Sequence, residues 1–189
     1  PSKKVTKKIE AEIFNKILIP TAKGLIKENL IYRGILFFGL MITNNGPYVI
    51  EYNVRFGDPE CQILLRNLKT DLLEIIESNV NDKLSTVKIE NYNDSVVCIV
   101  LASKGYPGKF KKNQIIKNIS KAQKIKGVEI FHAGTSFKDG KVLSSGGRVL
   151  SITSKAKTIK VAREKAYKAV SQISWPGGFY RNDIGLKNT

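Results

Sequence analysis

At 189 residues, the chain can hold one medium domain or two small ones, each with its own core. Hydrophobic residues make up 42% and charged residues 25%, a globular balance that excludes a disordered chain. The formal charge of +16 is spread from Lys3 to Lys187, with no dense block and no interleaved aromatic stripe. That spread reads as lysine-coated solvated faces, so no nucleic-acid partner is expected, while a basic surface suits small anionic substrates. No apolar run approaches the roughly 18 residues that would cross a bilayer, so no membrane partner is expected either. The opening PSKKVTKKIE has no apolar core and no initiator Met; it reads as no signal peptide, and as the start of a trimmed chain or a piece of a longer one.

From Ile9 to about Lys27, apolar residues recur at four-residue spacing, which predicts an amphipathic helix with a bend at Pro20. GILFFGLMIT (34–43) and PYVIEYNVRF (47–56) read as two strands of a hairpin turning through Asn44–Pro47. Asp58-Pro59 is expected to open a helix, with Asp58 as the cap and Pro59 in the first turn. Its buried stripe runs through Ile63, Leu64, Leu68, Leu72, Ile75 and Ile76 and ends near Asn79–Asp82. The polar NDKLSTVKIENYND follows as a surface excursion, and we divide the chain near residue 82 into an α+β part (1–82) and a small β-rich part with one long helix (83–189).

In the second part, SVVCIVLAS (95–103) reads as a buried strand and KGYPGKF as a loop. VEIFHAG (128–134) is another strand, followed by a turn at Lys138–Lys141. VLSSGGRVLSITS (142–154) is a strand interrupted by Gly146-Gly147, a helix covers roughly 156–173, and the tail WPGGFYRNDIG is irregular. Cys61 and Cys98 lie far apart, in apolar surroundings and in no metal-ligand spacing, and read as buried free thiols of a cytoplasmic protein. The sequons at Asn93 and Asn118 carry no meaning in that compartment.

The chemistry concentrates on Glu51 to Glu60. Strand alternation puts Val49, Glu51, Asn53 and Arg55 on one face, with polar neighbours about 6–7 Å apart. Ile50, Tyr52, Val54 and Phe56 are expected on the other face, against the core. Glu51 and Asn53 offer hard oxygen ligands of the kind magnesium takes, in small number, beside water and phosphate oxygens. Arg55 can fork onto a phosphate or carboxylate. Gly57 lets backbone approach closely, and Asp58 and Glu60 begin a helix whose positive end faces the same region. Together they would neutralise charge developing in phosphoryl transfer. An exposed edge strand with polar residues outward is the alternative reading of the same alternation.

The string E-x-N-x-R-x-G-D-P-E resembles the ATP-grasp superfamily, whose last metal-binding strand carries E-x-N. With YRGILFFGLMIT before it and RFGDPECQ through it, it resembles the glycinamide ribonucleotide synthetase (phosphoribosylamine–glycine ligase) family. PTAKGL (20–25), LKTDLLEII (68–76), VCIVLASKGYPG (97–108), FHAGT (131–135), SSGGRVL (144–150) and YRNDIG (180–185) extend the resemblance in order along nearly the whole chain. The fold it implies is α+β: the second lobe of an ATP-grasp domain, an antiparallel sheet with helices, followed by a small β-rich C-terminal domain.

The activity it implies joins glycine to 5-phosphoribosylamine, with ATP converted to ADP and phosphate, in de novo purine synthesis. By the motif, Glu51 and Asn53 are ligands of Mg2+ or Mn2+, and Arg55 contacts phosphate or the acyl group. Gly57 borders the substrate, and Asp58 orients the amine or the glycine ammonium. The resemblance covers only the second half of the family's length, so the adenine-gripping first half is an expected partner and the chain alone is expected to be inactive. The whole protein is expected to be a cytoplasmic monomer. A ligase of the same superfamily with another acceptor is disfavoured by SSGGRVL and YRNDIG.

Outside that strand, Gly146, Gly147 and Arg148 read either as a ribose-phosphate site of backbone N–H groups and a guanidinium, or as a β-bulge with a surface arginine. His132, the sole histidine, is either a general base or a hydrogen-bonding residue beside a glycine turn. Lys104–Gly108 is a substrate lid or a turn, and Tyr106 and Trp175 read as packing residues.

Overall fold

The computed structural model describes residues 5–186; residues 1–4, part of the stretch read above for a signal peptide, lie outside it. Packing separates two compact units. One runs to Gly57 and includes Thr70–Ile89; the other comprises Asp58–Lys69 and the chain from Glu90 on. The chain therefore crosses between units at 57/58, 69/70 and 89/90, whereas the compositional division is a single cut near residue 82.

In the first unit, the leading helix has three parts: α1 (Lys7–Ile13), a π-helical turn (Phe14–Leu18) and α2 (Ile19–Lys27). Thr6 caps α1 by accepting from the Ile9 N–H at 3.3 Å. The irregularity lies before Pro20 rather than at it. The Ile19 N–H reaches back five residues to the Phe14 carbonyl, so the ladder has already changed step where proline offers no N–H. The Thr21 hydroxyl then donates to the Ile17 carbonyl at 2.7 Å.

β1 (Phe37–Thr43) and β2 (Gly46–Asn53) form the expected antiparallel hairpin. Gly39 pairs with Glu51 and Leu40 with Val49, which leaves Ile50 bulged out of the ladder. This bulge and the end of β2 at Asn53 correct the simple alternation. Ile50 is 63% and Val54 70% exposed, so neither lies on a core, and Arg55 is outside the strand. A two-stranded hairpin offers no second layer to cover that face. Tyr52 is exposed as well, although its ring meets Phe38 edge-on at 5.1 Å and its hydroxyl lies 3.2 Å from that of Thr21.

The expected single helix after Asp58 is two helices, α3 (Glu60–Asn67) and α4 (Leu72–Val80), which belong to different units. Leu68 is extended, and the backbone there pairs instead with 90–92: the Lys69 N–H donates to the Glu90 carbonyl and the Tyr92 N–H to the Asn67 carbonyl. Asp71 caps the new start by accepting from the Leu73 N–H at 2.7 Å. Asp58 caps nothing; Pro59 occupies the cap position of α3, with no side-chain hydrogen bond. After α4, Asp82 receives a two-pronged ion pair from Arg33, at 2.6 and 3.0 Å, which ties the segment leading into β1 to the helix end.

The second unit is built on a four-stranded antiparallel sheet. β3 (Ser95–Ser103) and β8 (Arg148–Ala156) lie at its centre, with β5 (Val128–His132) beside β8 and the short β9 (Gly178–Phe179) beside β3. Val149 to Ser154 are buried without a break, which requires cover on both faces. The 14-residue α6 (Ile159–Gln172) packs against β3 and β8 through Ala162, Ala166, Ala169 and Val170, and α3 packs against the same two strands. Small residues on α6 let it approach Val97, Ile99, Leu101, Leu150 and Ile152 closely. Trp175 closes this core, as a packing residue should.

A second sheet of three strands holds β4 (Ile115–Ile116), β7 (Lys141–Ser144) and β6 (Thr135–Lys138). The break at Gly146-Gly147 thus separates strands of different sheets. The sequence reading omitted β4, β6, β9 and the short helix α5 (Ile119–Gln123), all of five residues or fewer. The β6–β7 turn is the two-residue Asp139-Gly140, both at positive φ as a primed hairpin turn requires. Among the described residues no helix is long and apolar enough to cross a membrane.

Two predictions come from this packing. Ile152→Ala should destabilise the second unit by about 2–5 kcal/mol, because the side chain has no exposed surface. Fluorescence of the sole tryptophan, Trp175, during urea unfolding reads it; an unchanged midpoint would remove Ile152 from the cooperative core. Of the two thiols, Cys98 is buried and Cys61 is only partly so. Burial pushes the Cys98 thiol up to about 12. A thiol reagent near pH 8 should therefore label native Cys61 and spare Cys98 until denaturant is added; equal native rates would contradict this burial. Because the folded state holds this proton, its stabilising contribution is complete below the ordinary thiol range and is lost as pH rises toward about 12.

Candidate functional site

The first cluster lies at the end of β2. Asn53 donates from its amide nitrogen to Glu51 Oε1 at 3.1 Å. The two side chains predicted to share a face therefore touch, in spite of the bulge that precedes them. This contact uses neither Asn53 Oδ1 nor Glu51 Oε2, both hard oxygen donors. Two such donors fit an ion that keeps several waters and takes phosphate oxygens for the rest of its shell. A closed all-protein cage would need more, and among the described residues no group of three or more acidic, cysteine or histidine side chains could hold a metal.

Arg55 does not join the pair by any contact. Its Nη1 donates to the neighbouring Phe56 carbonyl at 2.8 Å, and the residue as a whole is exposed. Gly57, which ends the first segment of this unit, is buried.

The second cluster lies in the other unit, where the start of α3 meets the start of β8. Arg148 donates from Nη1 to the Asp58 carbonyl at 2.9 Å, and its Nη2 lies 3.1 Å from Asp58 Oδ2. Asp58 also accepts a long bond, 3.4 Å, from the Gln62 side chain. Two residues assigned separate roles from sequence are thus one ion pair, half-exposed and joined across 90 positions of chain. A guanidinium has five N–H groups. Two of them are directed at Asp58.

The glycines beside Arg148 are held tightly. The Gly146 N–H donates to the Gly134 carbonyl at 3.1 Å, while the Gly146 and Gly147 carbonyls accept from the Ser103 hydroxyl and N–H, at 2.8 and 2.7 Å. The Tyr106 ring lies directly over Gly147, where any Cβ would collide with it. The loop Lys104–Gly108 therefore rests on the glycine pair through Tyr106, a packing residue as its sequence reading has it, while the second support, Ser103, was not singled out from sequence. No pattern within either segment alone carries that signal. His132 has a partner, the Thr135 hydroxyl at 3.0 Å, in agreement with its hydrogen-bonding reading.

Comparisons with known proteins bear on both clusters. Residues 1–61 match the family model described as Phosphoribosylglycinamide synthetase, ATP-grasp (A) domain, and residues 96–187 match Phosphoribosylglycinamide synthetase, C domain. A phosphoribosylamine–glycine ligase of Brucella melitensis is 44% identical over 187 residues, which are 99% of this chain and 44% of that protein. The crystal structure of a phosphoribosylamine–glycine ligase from Thermotoga maritima superposes with a TM-score of 0.78 at 33% identity, covering 97% of this chain and 44% of that one. The biotin carboxylase domain of a 2-oxoglutarate carboxylase from Hydrogenobacter thermophilus, at 15% identity and a TM-score of 0.59, shares the fold alone. The chain spans less than half the length of each of these relatives. Matched by both domain models and along its whole length by these ligases, the chain belongs to the phosphoribosylglycinamide synthetase family.

Proposed function

We propose that this chain is the second half of an ATP-dependent ligase that joins glycine to 5-phosphoribosylamine. The observation that carries the reading is the contact between Glu51 and Asn53, which presents two oxygen donors together at the end of β2. A carboxylate oxygen of glycine attacks the γ-phosphorus of ATP, the bond to the ADP oxygen breaks, and glycyl phosphate forms. The amine of phosphoribosylamine then attacks the acyl carbon; the carbon–oxygen bond to phosphate breaks and the nitrogen loses a proton.

Glu51 and Asn53 would hold magnesium or manganese, which would supply charge neutralisation at the nucleotide phosphates. Arg55, an exposed residue, is suited to fork onto a phosphate or the acyl group. Asp58 and Arg148 act as a pair. The carboxylate fixes the guanidinium and is itself placed to accept from an amine or ammonium. The free edge of Arg148 takes the ribose phosphate. The Gly146 N–H is already bonded to Gly134, so the backbone N–H offered to phosphate in this reading is that of Gly147, beside Arg148.

In the domain reading, residues 1–82 serve as the second lobe of the ATP-grasp domain and 83–189 as the C-terminal domain, and Gly57 gives the backbone room beside substrate. The whole protein works as a cytoplasmic monomer in which a preceding half grips the adenine. Nucleic acid and membrane have no part in this reading.

Three measurements test it. Glu51→Gln in the full-length protein should raise the magnesium concentration needed for half-maximal turnover, because a charged ligand becomes neutral; an unchanged magnesium dependence removes the metal role. Arg148→Ala should raise KM for phosphoribosylamine by about tenfold, the scale of one charge-assisted hydrogen bond, with KM for ATP little changed. Equal effects on both substrates would argue against the ribose-phosphate role. ATP titrated calorimetrically into the isolated 189 residues should show no tight binding; micromolar affinity would contradict the need for a first half.

A further inference from the structure

Gly39 sits in the middle of β1, between Phe38 and Leu40, where glycine is locally unfavourable: it packs no side chain and loses more backbone entropy than any other residue. Its cross-strand partner is Glu51, next to the bulge at Ile50. The Glu51 side chain lies across the glycine. A Cβ built on Gly39 would stand 2.8 Å from Glu51 Cγ, 3.5 Å from Oε1 and 3.6 Å from Cδ. The first distance is closer than packed carbons allow, and the other two are at or near contact. Cγ is only the second carbon out from the backbone. Relief therefore requires a turn about the first side-chain torsion, which carries the whole carboxylate away. Glu51 Oε1 is also the atom that accepts from Asn53 at 3.1 Å, so the same turn would separate the two donors.

We propose that Gly39 is a positioning residue: the absent side chain is the space in which the Glu51 carboxylate folds back to stand beside Asn53. The proposal rests on the reading of Glu51 and Asn53 as metal ligands, and deepens it by naming what sets their geometry. Gly39 touches neither metal nor substrate; it acts through Glu51.

The test is a double-mutant cycle on manganese binding, read by electron paramagnetic resonance as loss of the free-ion signal in the full-length protein with ADP present. Gly39→Ala should weaken manganese binding about tenfold or more, the usual scale for groups that orient a ligand. In a Glu51→Gln background the same change should have no further effect. If Glu51→Gln itself leaves manganese binding unchanged, the metal reading fails. If Glu51→Gln weakens binding and Gly39→Ala does not, or if the two effects add in full, the positioning role fails while the metal reading stands. Should Gly39→Ala prevent folding, Gly39→Ala with Glu51→Ala decides. Restored folding traces the clash to Glu51 and supports the proposal, and continued unfolding assigns Gly39 another role and overturns it.

Discussion

The antiparallel ladder of β3 and β8 is the constraint on which the second unit depends. Both faces of β8 are buried from Val149 to Ser154, so its register can slip by no residue without turning Leu150 and Ile152 out of the α6 core. That register sets where β8 begins, and hence where Arg148 leaves the sheet. It also sets the face on which α3 packs, with Asp58 at its start. The ion pair between them is worth little as a stabiliser, since both groups are half-exposed. Its value lies in direction: a guanidinium gripped on one edge presents the other in a fixed orientation. Ser103 at the end of β3 and Tyr106 in the loop beyond it pin the glycine pair that precedes Arg148.

In the first unit the equivalent constraint is local. A single bulged residue, Ile50, resets the side-chain alternation of β2 just before the two groups that matter. Glu51 and Asn53 then share a face for the ordinary reason that they are two apart beyond the bulge. Space for Glu51 comes from the opposite strand at Gly39. The geometry of the Glu51–Asn53 pair is thus a property of a hairpin, and side chains on strands are held more narrowly than those on loops.

Much of this was legible in the sequence, and the failures have physical causes. The four-residue spacing of Ala162, Ala166 and Val170 marks the buried stripe of α6 because helix period and burial agree there. The E-x-N string placed two donors on one face correctly. The bulge at Ile50 was not legible, since it depends on how β1 pairs with β2. The break between α3 and α4 was hidden by an apolar stripe that runs on at helical spacing through Leu68 and Leu72, while pairing with 90–92 decided the backbone. Asp71 ahead of Leu72 is the capping signal that could have revealed it. The pairing of Asp58 with Arg148 joins positions that only the folded sheet brings together.

A divalent ion held by Glu51 and Asn53 is the centre of the proposed function. The most direct measurement is nuclear magnetic resonance on isotope-labelled protein titrated with traces of manganese, whose unpaired electrons broaden only nearby signals. Selective broadening at 51–53, with the Asn53 side-chain amide among the first signals lost, is the predicted result. Broadening centred on other carboxylates, with the Asn53 amide left sharp, would contradict it.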